Sequence, residues 1–132
     1  MNEDCNYASR GILGGNLVRR LLELRRDIRC VDNIPRGKST NLKGLPVDIV
    51  YVVLRQYDQA LEAVGGADAD YHLAARVGSI NFLHGSNKTE LETMQSNLTI
   101  DINLFRACRE VGVKMMVYTS SVSVYPCIDS RD

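Results

Sequence analysis

Two neighbouring stretches decide the fold: Gly11-Ile12-Leu13-Gly14-Gly15-Asn16-Leu17-Val18-Arg19-Arg20-Leu21-Leu22-Glu23-Leu24, and Ile28-Arg29-Cys30-Val31-Asp32 shortly after it. In the first, Leu13, Leu17, Val18, Leu21 and Leu22 recur at helical spacing with arginines between them, which predicts an amphipathic helix from Leu13 to Leu24. The second is a short apolar run that ends in Asp32 and gives way to Asn33, Pro35 and Gly37, a strand handing over to a loop. A glycine-bearing helix start followed by a strand ending in an acid is the opening of an α/β unit.

Working outward, Val47 to Leu54 is almost continuously apolar and rich in Val and Ile, as a strand covered on both faces should be. Tyr57, Leu61 and Val64 space a short helix that stops at Gly65-Gly66. Ala69 to Ala75 gives a further strand. A long helix is expected from about Asn87, with Asn87 and Glu90 as a capping box and Leu91, Met94, Leu98, Ile102 and Phe105 as its apolar face. It ends at Gly112, and Val113 to Thr119 forms a last strand running into Ser120-Ser121. Helices of crossover length between strands predict a parallel sheet with helices on its faces. A doubly wound domain should open with a strand, yet Met1 to Tyr7 offers only Met1, Cys5 and Tyr7 as strong apolar side chains.

The 132 residues are 45% hydrophobic and 24% charged, globular proportions for a single core. Sixteen Lys plus Arg balance sixteen Asp plus Glu, so the footprint of nucleic-acid binding is missing. The arginines at Arg19, Arg20, Arg25 and Arg26 alternate with leucines and read as a solvated helix face. No apolar stretch approaches the ~20 residues needed to cross a bilayer, and the start is polar and acidic, so no membrane partner and a cytoplasmic location are expected. Cys5, Cys30, Cys108 and Cys127 form no C-x-x-C pair and read as reduced, mostly structural thiols. His72 and His84 lack a second ligand at metal-binding spacing, and no metal site is expected.

The segment Ala8-Ser9-Arg10-Gly11-Ile12-Leu13-Gly14 places bare backbone N–H groups and a helix dipole where a pyrophosphate can sit. Two glycines three apart remain; a full G-x-x-G-x-x-G would need glycine at Ala8, so a helix start without ligand is the alternative. Asp32 lies about twenty residues on, where a carboxylate can bind both ribose hydroxyls of an adenosine. An acid there repels a 2′-phosphate and favours NAD over NADP, with Arg36 and Lys38 pulling the other way; an ordinary turn aspartate is the alternative.

Taken together, Asp32-Asn33, Tyr71-His72-Leu73-Ala74-Ala75, Asn97 and Val117-Tyr118-Thr119-Ser120-Ser121-Val122-Ser123-Val124-Tyr125-Pro126 resemble, in order and spacing, the extended short-chain dehydrogenase/reductase family of NAD-dependent nucleotide-sugar epimerases and dehydratases. The run Ala75 to His84 with Ser120 to Pro126 looks most like the GDP-mannose 3,5-epimerase branch, although the acid/base cysteine of that branch falls at Ser123. The resemblance implies that Gly11, Ile12 and Leu13 present backbone to the pyrophosphate, that Asp32 and Asn33 meet the adenosine, and that Ala74 and Ala75 line the cofactor channel. It further implies that Asn97 reaches toward the cofactor, that Thr119 and Ser120 flank the nicotinamide, and that Ser121 is the catalytic hydroxyl. On residue chemistry alone, Asn97 reads equally as a solvent-facing helix residue and Ser120-Ser121 as a turn or cap.

Three departures accompany the likeness. Family catalysis requires a Y-x-x-x-K pair, in which the lysine and cofactor lower the tyrosine pKa. Four positions after Tyr7, Tyr51, Tyr57, Tyr71, Tyr118 and Tyr125 stand Gly11, Arg55, Leu61, Ala75, Val122 and Asp129. The acid that often follows the third strand to hold the adenine is replaced by Val53, and the sugar-binding region is expected to lie outside these residues. The expected fold is α/β, a Rossmann-type doubly wound parallel sheet of order 3-2-1-4-5, truncated and with a degenerate first strand, in which residues 1–132 form a single NAD(P)-binding domain. The expected function is the cofactor-binding part of a nucleotide-sugar epimerase or dehydratase, inactive alone and with weak or lost NAD binding. Its partners would be a nucleotide sugar once completed and no nucleic acid or membrane, with a homo-oligomer left open because the sequence does not settle oligomeric state. The alternatives are a non-catalytic nucleotide-binding remnant and a protein-interaction module.

Overall fold

In the computed structural model of the chain, β1 (Glu3–Tyr7), α1 (Ile12–Glu23), β2 (Asp27–Asp32), a 3-10 turn (Ser39–Leu42), β3 (Asp48–Tyr51), α2 (Tyr57–Val64), β4 (Ala69–His72), α3 (Asn87–Val111) and β5 (Met115–Tyr118) follow one another. The structure describes residues 3–7, 11–33, 39–79, 85–121 and 124–126, with the side chains of 3–7, 39 and 40 left outside this description. The five strands form one parallel sheet in the order β3-β2-β1-β4-β5.

The weak-looking opening segment thus occupies the centre: Cys5 lies between Arg29 of β2 and Asp70 of β4, and Asn6 between Cys30 and Tyr71. A central parallel strand gains ladder hydrogen bonds on both edges, and that backbone pairing compensates for a side-chain pattern too polar to announce a strand.

Residues alternate between the two faces of the sheet. Ile28, Cys30 and Ile49 pack with Val18 and Leu22 under α1, with Leu42 of the 3-10 turn closing the same cluster. α1 approaches that turn closely: a Cβ on Gly15 would stand 3.2 Å from Asn41 Cβ, and Arg19 donates from Nη1 to Gly15 O (3.1 Å) and from Nη2 to Asn41 O (2.6 Å). On the other face Val31, Val52, Leu54, Ala60, Ala63, Val64, Leu104, Ala107 and Cys108 make the larger core between the sheet and the α2–α3 pair. Arg29 reaches across that face and donates from Nη1 to Ala63 O (3.1 Å) and Gly65 O (2.7 Å), which satisfies carbonyls at the end of α2.

The cap of α3 differs from the expected one. Ser86, not Asn87, is the N-cap, and its Oγ accepts from the Thr89 N–H at 3.2 Å. The spacing of three residues is the same, shifted by one, and Ser86 has the extended backbone that an N-cap requires. Gly112 closes the helix at φ 80°, in the left-handed region, with its N–H on Cys108 O. The expected apolar face of α3 is also reassigned: Leu91, Met94, Leu98, Ile102 and Phe105 are exposed, and a neighbouring stripe of Leu104, Ala107 and Cys108 enters the core. Cys30 and Cys108 are buried and in no disulfide, in keeping with their structural reading. No helix among the described residues is long and apolar enough to cross a membrane.

Candidate nucleotide site

The chain leaves β1 toward β2 on one side and returns through β4 on the other, so a crevice opens at the carboxyl ends of the strands where the winding reverses. A cavity of about 610 Å³ occupies it, within the range of small-molecule sites. Gly11 to Gly14 border it at the start of α1, Val31, Asp32 and Asn33 at the end of β2, and Val52 to Arg55 beyond β3. Leu73 to Val77 border it after β4, Ser96 and Ile100 from α3, and Thr119 after β5.

Each wall follows from local sequence. Gly11 is an N-cap without a side-chain hydrogen bond, and the first turn of α1 holds no acid, so no side chain of that turn competes for its N–H groups. Ile12 (79% exposed) and Leu13 (72%) border the cavity as exposed residues. Val31 and Val52 supply a buried apolar wall beside the half-buried Asp32 carboxylate. Val53 sits in that wall, and its N–H donates to Gln59 Oε1 at 2.6 Å.

Of the residues singled out in the sequence, Gly11, Ile12, Leu13, Asp32, Asn33, Ala74, Ala75 and Thr119 border the cavity. Asn97 does not: its Oδ1 accepts from the Arg76 N–H at 2.6 Å and its Nδ2 donates to Arg76 O at 3.2 Å, so its amide clamps the chain after β4. Ser120 and Ser121 are exposed beyond β5 and outside the lining, and Ser121 O accepts from Val124 N–H at 3.3 Å. The first-glycine position, Ala8, and the cysteine-equivalent Ser123 lie outside the described residues. Sequence reasoning missed Arg55, Arg76, Ser96 and Ile100. Arg76 lies within the quoted run after Ala75 and Ser96 adjoins Asn97, whereas Arg55 carries no signal beyond following a strand.

Beneath the β4 and β5 ends lies a polar network that sequence did not reveal. His72, 1% exposed, faces the Asp101 carboxylate of α3, with Nε2 to Oδ1 at 2.9 Å, and Nδ1 accepts from the Ala74 N–H at 3.3 Å. Tyr118 donates its hydroxyl to Asp101 Oδ2 at 3.0 Å, and Thr119 donates from N and Oγ1 to His72 O at 3.3 and 3.1 Å. The rings of His72, Phe105 and Tyr118 pack edge to face or tilted, with centroids 5.4–6.3 Å apart. Burial pushes the His72 imidazolium below the usual histidine range while Asp101 works against it, so the ring is neutral at pH 7. Among the described residues no group of His, Cys, Asp and Glu is arranged to hold a metal ion.

A sequence model of the NAD dependent epimerase/dehydratase family matches residues 9–131. The chain belongs to this family. It is 31% identical over 118 residues to a 3-beta-hydroxysteroid dehydrogenase of Mycolicibacterium neoaurum, covering 86% of this chain and 30% of that protein. It is 35% identical over 75 residues to the GDP-mannose 3,5-epimerase 1 of Oryza sativa subsp. japonica, covering 57% and 19%. Among solved structures, the UDP-N-acetylglucosamine 4-epimerase from Methanobrevibacter ruminantium M1, in complex with UDP-N-acetylmuramic acid, superposes with a TM-score of 0.80 at 25% identity. That match covers 98% of this chain and 41% of the other. This epimerase/dehydratase-family chain therefore has the Rossmann fold of its relatives and spans a fifth to a third of the length of the curated ones it matches.

Proposed function

We propose that the chain is the cofactor-binding part of an NAD-dependent nucleotide-sugar epimerase or dehydratase and is inactive alone. The observation that carries this reading is the crevice that runs from Asp32 past the unshielded first turn of α1 to Thr119. In it Asp32 would hold the adenosine ribose beside Asn33, with Val31, Val52 and Val53 against the adenine. The N–H groups of the first turn of α1, next to Gly11, would meet the pyrophosphate, and Ala74, Ala75 and Thr119 would border the nicotinamide. When bound, NAD would supply a hydride acceptor for the oxidation of a sugar carbon. Thr119 carries a hydroxyl to that end, and Ser120 and Ser121 follow it.

Proton removal lacks a provider, because no tyrosine is followed by lysine four positions later. The reading therefore expects nucleotide binding without turnover, and a nucleotide sugar as substrate only with further polypeptide. Ala8 at the first-glycine position and Val53 at the adenine-acid position each remove a favourable contact. Losses of ~1.5 kcal/mol or more per contact with a charged ligand make the expected NAD affinity weaker than micromolar. Calorimetric titration with NAD, together with an epimerase and dehydratase assay on nucleotide sugars, tests this. Saturable weak binding without turnover supports it, and turnover by the repurified chain overturns it. The exposed apolar stripe of α3 favours a second reading, a protein-interaction module, which predicts a concentration-dependent mass in the absence of nucleotide.

A further inference from the structure

We propose that Asp101 is a positioning residue for the Thr119 end of the cavity, acting through His72 on the Ala74 amide and the Thr119 hydroxyl. The inference rests on the reading of the cavity as an NAD site and names a determinant of one half of it. Asp101 itself does not line the cavity. Its two oxygens reach the two strands whose ends do: Oδ1 takes His72 of β4 at 2.9 Å and Oδ2 takes the Tyr118 hydroxyl of β5 at 3.0 Å.

The consequence for the cavity wall follows from imidazole chemistry. Ala74 N–H points at Nδ1, 3.3 Å away, so Nδ1 is the acceptor nitrogen and the ring proton sits on Nε2, where the Asp101 carboxylate accepts it. The carboxylate thereby selects the tautomer that can hold the Ala74 amide. The same imidazole fixes β4 so that His72 O receives both donors of Thr119. A histidine needing only a buried acceptor would be served by a carbonyl or a hydroxyl; a carboxylate adds orientation and charge at the cost of partial burial.

The arrangement also carries a pH dependence. The titratable groups that contact His72 are Asp101 from α3 and Tyr118 from β5; Asp70 stands two residues earlier on the same face of β4, beside Cys108 of α3. A second proton on the imidazole would sit on Nδ1 against the Ala74 N–H, donor against donor, and release that amide. Acidification should thus loosen the Thr119 half and spare the Asp32 half.

The test compares NAD with ADP, which fills the adenosine and pyrophosphate positions only, by calorimetry on the wild-type chain, Asp101→Ala and Asp101→Asn, with thermal melts of each. Loss of one oriented contact predicts that Asp101→Ala weakens NAD about tenfold relative to ADP. Asp101→Asn, which retains an oxygen for His72, should keep most of that affinity. Lowering the pH of the wild-type chain below the usual histidine range, with ADP-ribose in place of ADP because its phosphates do not titrate there, should selectively weaken NAD. Equal effects of Asp101→Ala on NAD and ADP, or none on either, would overturn the inference while leaving the NAD reading intact. If the wild-type chain binds neither nucleotide, both fall. Should Asp101→Ala not fold, the pH series on the wild type and Asp101→Asn decide by the same comparison.

Discussion

Asp70 is a carboxylate in the middle of a sheet, fully buried on β4 between Cys5 of β1 and Met116 of β5. Neither oxygen has an oxygen or nitrogen donor among the described residues, and burial pushes its pKa up to about 7, partly offset by the Cys108 thiol. The unfolded chain releases that proton near pH 4, so over the interval between, the folded state binds more protons and loses stability as pH rises. Below the unfolded value the group adds no penalty; above about 7 the penalty is complete. Asp70→Val, an apolar β-branched replacement, should therefore raise the melting temperature at pH 8 by several degrees, for a gain of about 2 kcal/mol. It should also flatten the dependence of melting temperature on pH between about 5 and 8. An unchanged melting profile would show that Asp70 is not buried as charge. Asp32 offers the opposite test: on the proposed site, in which its carboxylate would hold the ribose, Asp32→Ala should lower NAD affinity by about tenfold or more. Its melting temperature should hold, because the bond from Val52 N–H to Asp32 O at 3.3 Å is made by backbone.

Among the elements, α3 shows what can be read from sequence and what cannot. Its length, its glycine stop and an apolar stripe were all legible, since a helical period and a left-handed cap are local properties. Which stripe enters the core was not. α3 carries apolar residues on two adjacent stripes, and the choice of Leu104, Ala107 and Cys108 is made by what the sheet and α2 present to it. β1 is the converse case, a strand hidden in its own sequence because its neighbours define it. In the candidate site, cavity-bordering positions such as Gly11 and Ala74 could be quoted from motifs, whereas the pairing of His72 with Asp101 joins residues 29 apart and has no sequence signature. At Gly112 nothing lies within 4 Å of an added Cβ, so Gly112→Ala measures conformational strain alone. It should cost about 1 kcal/mol in a denaturant titration with an unchanged m-value, and no cost would mean that the helix ends differently.

Across the whole molecule, exposure is uneven. Met94, Leu98 (51% exposed) and Ile102 (62%) of α3 and Met115 and Val117 of β5 are large apolar side chains in solvent, and β5 lies at one edge of the sheet. An apolar surface of this kind next to a strand edge is a site for association. Light scattering on the isolated chain should find a mass that rises with concentration, and Met94→Lys with Leu98→Lys should suppress the rise without lowering the melting temperature. A constant mass for the unsubstituted chain would count against association through this surface. The sequence isoelectric point of about 6.7 adds a colloidal consequence to that exposure. Near neutral pH two such molecules approach with almost no long-range repulsion, and van der Waals attraction between their bare flanks acts unopposed. A buffer one or two units to either side of neutrality, which restores like charge to every copy, is where this chain would keep best as a concentrated solution.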